Sequence, residues 1–113
     1  MPRTVGRLVY ESRGFIFKRL AEIDLAARRV RLLRTSFWGW TKTIVDCSLD
    51  DCVALGTVEY SADGPPWYGT YFKLRNGSWY AIPTTDVSFK TASAVVREVS
   101  AATGIPRLDI RYP

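Results

Sequence analysis

Apolar and polar residues alternate along most of the chain up to about residue 83, after which the spacing lengthens to that of a helix. Seven short runs read as strands. Arg7 to Tyr10 is brief and suits a sheet edge. In Phe15 to Ile23, the residues Phe15, Phe17, Ala21 and Ile23 share one parity, broken by Arg19, while Lys18 and Glu22 fall on the other face. Asp24-Leu25-Ala26-Ala27 turns the chain into Arg28 to Phe37, where Val30 and Leu32 alternate with Arg29, Arg31 and Leu33, the pattern of a half-buried antiparallel strand. Trp38-Gly39-Trp40 reverses direction into Thr41 to Ser48. Ser48-Leu49-Asp50-Asp51 turns again, into Cys52 to Tyr60. Pro65-Pro66 ends that ladder, because each proline lacks a donor and fixes φ. Trp67 to Leu74 and Ser78 to Pro83 then flank Arg75-Asn76-Gly77, and the Asn-Gly pair predicts a type I′ hairpin turn.

One helix is expected from about Ser88 to Thr103, with Ser88 or Asp86 as its N-cap. Ala92, Val95, Val96, Val99 and Ala102 form a narrow apolar stripe of small residues, suited to close approach to a sheet. Gly104 fits a left-handed cap, Ile105 supplies the accompanying apolar contact, and Pro106 prevents continuation. Beyond it, Arg107 to Tyr112 reads as an extended tail in which Leu108, Ile110 and Tyr112 alternate. Such a tail can lie on an exposed sheet edge or pair with another chain.

The order of these elements resembles that of bacterial pleckstrin-homology-like domains: the turn Ser48 to Val53, the Asn76-Gly77 hairpin, Ile82-Pro83, and a helix closing at Gly104-Ile105-Pro106. The resemblance covers about residues 13–106 and rests on order, since each motif is a turn or cap that many β-domains use. It implies a mainly β fold with one C-terminal helix, a bent seven-strand barrel or sandwich capped by that helix. Phosphoinositide-binding members of the wider superfamily carry a Lys followed by basic-x-Arg across the first hairpin, and Lys18 with Arg29-Val30-Arg31 matches that pattern.

Length and composition fit this picture. At 113 residues and 47% hydrophobic, the chain is one domain over residues 1–113, able to bury a core. Met1-Pro2-Arg3 leads into mixed polar sequence and no run reaches the length of a membrane span. The expectation is a soluble, cytoplasmic protein, peripheral to the inner membrane if it binds lipid. Cys47 and Cys52 match no common zinc spacing, and their spacing permits a disulfide, but they read best as reduced core residues. Histidine is absent, which removes the commonest general base at neutral pH. Asp50-Asp51 sits in a turn that explains it, and the eight glycines form no phosphate-cradling loop. The chain is therefore expected to be non-catalytic, with no metal and no cofactor.

Charge separates the halves. Residues 1–42 hold ten Arg and Lys against three carboxylates, whereas residues 43–113 hold six against eight. The basic excess therefore belongs to the first hairpin and its flanks, where it attracts anions. Two expectations of different kinds follow. The first is a protein-interaction or self-assembly module, using Trp38, Trp40, Trp67 and the tail residues Leu108, Ile110 and Tyr112. The second is an anionic membrane surface or phosphate headgroup bound by Lys18, Arg28, Arg29, Arg31 and Arg34. Nucleic acid is a minor option, because the tryptophan loop lacks an interleaved aromatic platform and a net charge of +5 is modest.

Overall fold

A computed structural model describes residues 6–14, 16–60, 64–84, 88–108 and 110–111. The expectations placed on Phe15, Asp86 and Tyr112 lie outside the described residues. The fold is mainly β with a single C-terminal helix. The first four strands, β1 (Arg7–Arg13), β2 (Phe17–Asp24), β3 (Arg29–Ser36) and β4 (Thr41–Ser48), form one antiparallel meander. Strands β5 (Cys52–Tyr60), β6 (Trp67–Leu74) and β7 (Trp79–Ile82) form the second sheet in the order β7-β6-β5. The helix α1 (Phe89–Thr103) follows, and a two-residue strand β8 (Ile110–Arg111) pairs parallel to β5 at the far side of the second sheet. β4 and β5 are not hydrogen-bonded neighbours, so the two sheets pack as a sandwich rather than a closed barrel.

The corner between the sheets is a 3-10 turn over Leu49–Asp51, capped by the Ser48 side chain and anchored by Leu49, which is buried. Leu49 donates its N–H to the carbonyl of Arg28, tying this corner to the β2–β3 turn. Alternation then fills one core: Ala21 and Ile23 of β2, Val30 and Leu32 of β3, Val45 of β4, Leu55 of β5, Phe72 of β6 and Ile82 of β7. Val95, Val96 and Val99 complete it from α1. The helix lies against β5 and β6, where the buried Thr70 hydroxyl donates to the Ala92 carbonyl. Ser88 caps its start by accepting from the Thr91 N–H, and Gly104 closes it at φ 82°, a left-handed value that glycine adopts without strain.

Two local expectations are corrected. Ala102, the last member of the apolar stripe, is exposed, so the buried face of the helix ends at Val99. The β6–β7 hairpin is not type I′. Gly77 has a positive φ of 95°, but Asn76 does not. The Leu74 carbonyl accepts from the Gly77 N–H, and Leu74 N–H donates to Ser78, the geometry of a type I turn closed by a glycine bulge. The Asn76 carboxamide is spent on the Ser78 N–H instead.

Candidate functional site

The basic residues singled out by sequence do not form one cluster. Arg29 and Arg31 alternate with buried Val30 and Leu32, so they project from the outer face of the first sheet. Arg31 is directly opposite Glu22 on one side and Asp46 on the other. Carboxylates take up both: Arg29 pairs with Asp46 at 2.6 Å, and Arg31 with Glu22 at 3.3 Å. Glu22 also receives Arg7 at 3.1 Å. Arg28, in the β2–β3 turn, pairs with Asp50 at 2.6 Å. Exposed pairs of this kind add little stability, but each cancels the local charge an anion would seek. Lys18 and Arg34 lie toward the opposite end of the hairpin and on opposite faces, since Lys18 faces Thr35 while Arg34 faces Arg19.

That opposite end carries the largest exposed apolar group. Phe37, Trp38 and Trp40 are 78%, 54% and 76% exposed. The backbone gathers them: Ser36 N–H donates to the Trp40 carbonyl, and Phe37 N–H to the carbonyl of Ile16, itself exposed. Phe37 and Trp38 meet edge to face, with ring centroids 4.7 Å apart. The Ser36 hydroxyl, buried at the base, accepts from the Trp40 N–H and fixes the turn. Sequence identified the two tryptophans but not Ile16 and Phe37, which join them only through strand register.

Behind this tip lies a row of cations, of which sequence named Arg34 as an anion candidate and marked Arg19 only as a broken alternation. Arg19 has the parity of Ala21 and Ile23, and Arg34 that of Val30 and Leu32. Both therefore continue the core-facing side of the sheet beyond the end of the core. Register places Ser12, Arg19, Arg34 and Lys42 directly abreast across β1 to β4. Lys42 reaches this row through a bulge: Leu32 faces Val45 but Leu33 faces Thr43, so Ile44 is the extra residue and the parity of β4 flips. Among the described residues, Lys18, Arg19, Arg34 and Lys42 have no carboxylate within ion-pair distance. The Arg34 guanidinium rests 4.6 Å from the centre of the Phe17 ring.

The remaining candidates are largely engaged within the chain. Trp67 stacks on Tyr60 at 4.1 Å, and the Tyr60 hydroxyl lies 2.8 Å from that of Tyr71. Leu108 N–H donates to the Leu55 carbonyl, while Leu55 N–H donates to that of Pro106. With Ile110 opposite Val58, the tail is an internal edge strand on β5. The Leu108 side chain stays exposed.

The thiols sit at the sheet corner, away from these surfaces. Burial, and then the neighbouring Cys47, push the Cys52 thiol up from its ordinary 9.0 to about 12. Partial burial raises Cys47 as well. Both are thus held protonated, the reverse of an activated nucleophile. Cys52 in the native chain is expected to react with iodoacetamide at least about a hundredfold more slowly than in the urea-unfolded chain at about pH 8, read by peptide mass spectrometry; equal rates would refute the burial. Because the folded Cys52 thiol ionises later than the unfolded one, its contribution to stability is complete below pH 9.0 and declines as pH rises toward about 12. No group of three or more metal-ligating side chains occurs among the described residues, and no helix among them is long and apolar enough to cross a membrane. Comparison with protein-family models, curated proteins and solved structures returns no match.

Proposed function

We propose that the chain is a non-catalytic interaction module that docks on a protein partner with the aromatic end of its first sheet. The observation that carries this is the exposed group Ile16, Phe37, Trp38 and Trp40 on a turn fixed by Ser36. Exposed apolar clusters of this size mark interaction surfaces, and tryptophan is the residue most enriched among binding hot spots. The order of strands and helix supports reading the scaffold as pleckstrin-homology-like.

Charge narrows the partner. Lys18 and Lys42 flank the tip and Arg34 lies behind it, so two copies meeting tip to tip would bring like charges together. The complementary surface is an apolar groove with an acidic rim. A photo-crosslinking residue replacing Trp38 should give discrete protein adducts that Trp40→Ser suppresses, while the same residue at Ala101, on the exposed side of α1, should give none. Equal labelling from both positions would reject the docking surface.

A second reading is favoured by the same cations. Tryptophans at a loop tip with basic residues behind them also suit the interface of an anionic bilayer. Sedimentation with phosphatidylglycerol vesicles tests it: salt-sensitive binding lost in Trp38→Ser/Trp40→Ser supports the membrane, and absence of binding at low salt leaves the protein partner.

A further inference from the structure

Five arginines of the first sheet and its turns, Arg7, Arg13, Arg28, Arg29 and Arg31, each have a carboxylate partner. Arg19, Arg34 and Lys42 have none among the described residues, although they stand directly abreast on adjacent strands. Like charges opposite each other across a ladder destabilise a sheet, so this row is a local cost that the fold does not relieve internally. By parity it lies on the core-facing side, beyond the end of the core, where Arg34 is half-buried and Arg19 and Lys42 are exposed. There Arg19 and Arg34 border a mostly apolar cleft of about 260 Å³ between the end of the first sheet and the edge strand β7, lined also by Leu32, Ile44, Ser12 and Tyr80, while Lys42 stands beside Arg34 outside the lining.

We propose that this cleft is a binding site for a phosphate group, clamped between Arg19 and Arg34 with Lys42 at its rim. Two guanidinium groups offer planar pairs of N–H donors matched to phosphate oxygens. The Arg34 guanidinium rests on the Phe17 ring, and no carboxylate among the described residues takes its donors. Three cations call for a multiply charged anion; a lone carboxylate would leave most of the repulsion in place. The cleft is smaller than sites for drug-sized ligands, so it suits one phosphate and a few attached atoms. The Ser12 hydroxyl and the Tyr80 phenol are the neutral donors at hand. This site needs no macromolecular partner and does not depend on the docking surface.

The test is titration of the full chain with inorganic phosphate at constant ionic strength, following the side-chain N–H signals of arginine by NMR. Arg19 and Arg34 should shift saturably, and the paired Arg29 and Arg31 should not. Arg19→Gln and Arg34→Gln should each weaken binding about tenfold or more, whereas Arg29→Gln/Arg31→Gln should leave it unchanged. Thermal melting supplies a second readout. Without phosphate, Arg19→Gln should melt no lower than the parent, because repulsion is relieved; phosphate should raise the melting temperature of the parent and not of the Arg19→Gln/Arg34→Gln variant. A response that never saturates, or that falls equally in the Arg29→Gln/Arg31→Gln variant, overturns the proposal. Two further arms identify the source of the phosphate. Binding to phosphatidic acid vesicles that requires Arg19 and Arg34 shows a lipid headgroup, and displacement of inorganic phosphate by glycerol phosphate without vesicle binding shows a soluble ester.

Discussion

Replacing Val99 by aspartate is expected to unfold most of the domain at neutral pH, whereas the same change at Ala102, three residues further on, is expected to cost about 1 kcal/mol. Val99 is 1% exposed, inside the core that joins α1 to both sheets. A carboxylate there is set among apolar core side chains and must either lose its charge or bring water with it. Either route costs roughly 4 kcal/mol or more, a large share of the roughly 5–15 kcal/mol that holds a domain of this size together. Ala102 is exposed, so its aspartate pays only for weaker helix propensity, for sitting near the negative end of the helix and for lying one turn from Glu98. The pH dependence has a definite sign. A buried aspartate has its folded pKa raised, so the Val99→Asp chain is least destabilised below the unfolded carboxylate pKa of about 4 and worsens as pH rises through it. Thermal melting at two pH values checks both claims. If Val99→Asp melts within a few degrees of Ala102→Asp at neutral pH, the helix does not seal the core.

That pair of residues also shows how far local sequence reaches. The spacing of apolar residues put Val99 and Ala102 on one stripe, and nothing local distinguishes them. Features set within a few residues were legible: the Ser88 cap, the left-handed Gly104, the buried Ile105 and the strand runs themselves. Features set by pairing between strands were not. Arg29 and Arg31 have the sequence pattern of an anion site, but Asp46 and Glu22, carboxylates 17 and 9 residues away, take both up. The bulge at Ile44 that aligns Lys42 with Arg34 has no local signature, because any residue can be the extra one. Arg19 is the instructive exception. An arginine on the core parity of β2 was visible as a broken alternation, and its meaning became clear only with Arg34 opposite it. The Asn76-Gly77 turn failed differently: its composition allows two hairpin geometries, and the three-residue loop selected the one with a glycine bulge.

Removing residues 107–113 is expected to make the domain associate more strongly with increasing concentration than the parent does, and to lower its stability by about 1–3 kcal/mol. The tail looks like free binding surface in the sequence, yet its backbone is already in use. Leu108 donates to Leu55, Arg107 bridges to the same residue, and Ile110 and Arg111 lie parallel to Val58 and Glu59. Without them, β5 presents a bare row of donors and acceptors along a strand whose Ala54, Leu55 and Val58 are buried, the kind of edge that recruits another chain. A pair of single changes separates backbone from side chain. Leu108→Pro deletes the donor to Leu55 and should reproduce part of the loss, about 1 kcal/mol. Leu108→Ser keeps that donor and removes only an exposed side chain, so it should melt within about 0.5 kcal/mol of the parent. Light scattering across a concentration series, read beside chemical denaturation, decides the matter. A truncated chain that associates no more than the parent and is equally stable would show that the tail is not the guard of this edge. Equal losses from Leu108→Pro and Leu108→Ser would show that it acts through its side chains, returning Leu108 and Ile110 to the role of a partner-binding surface.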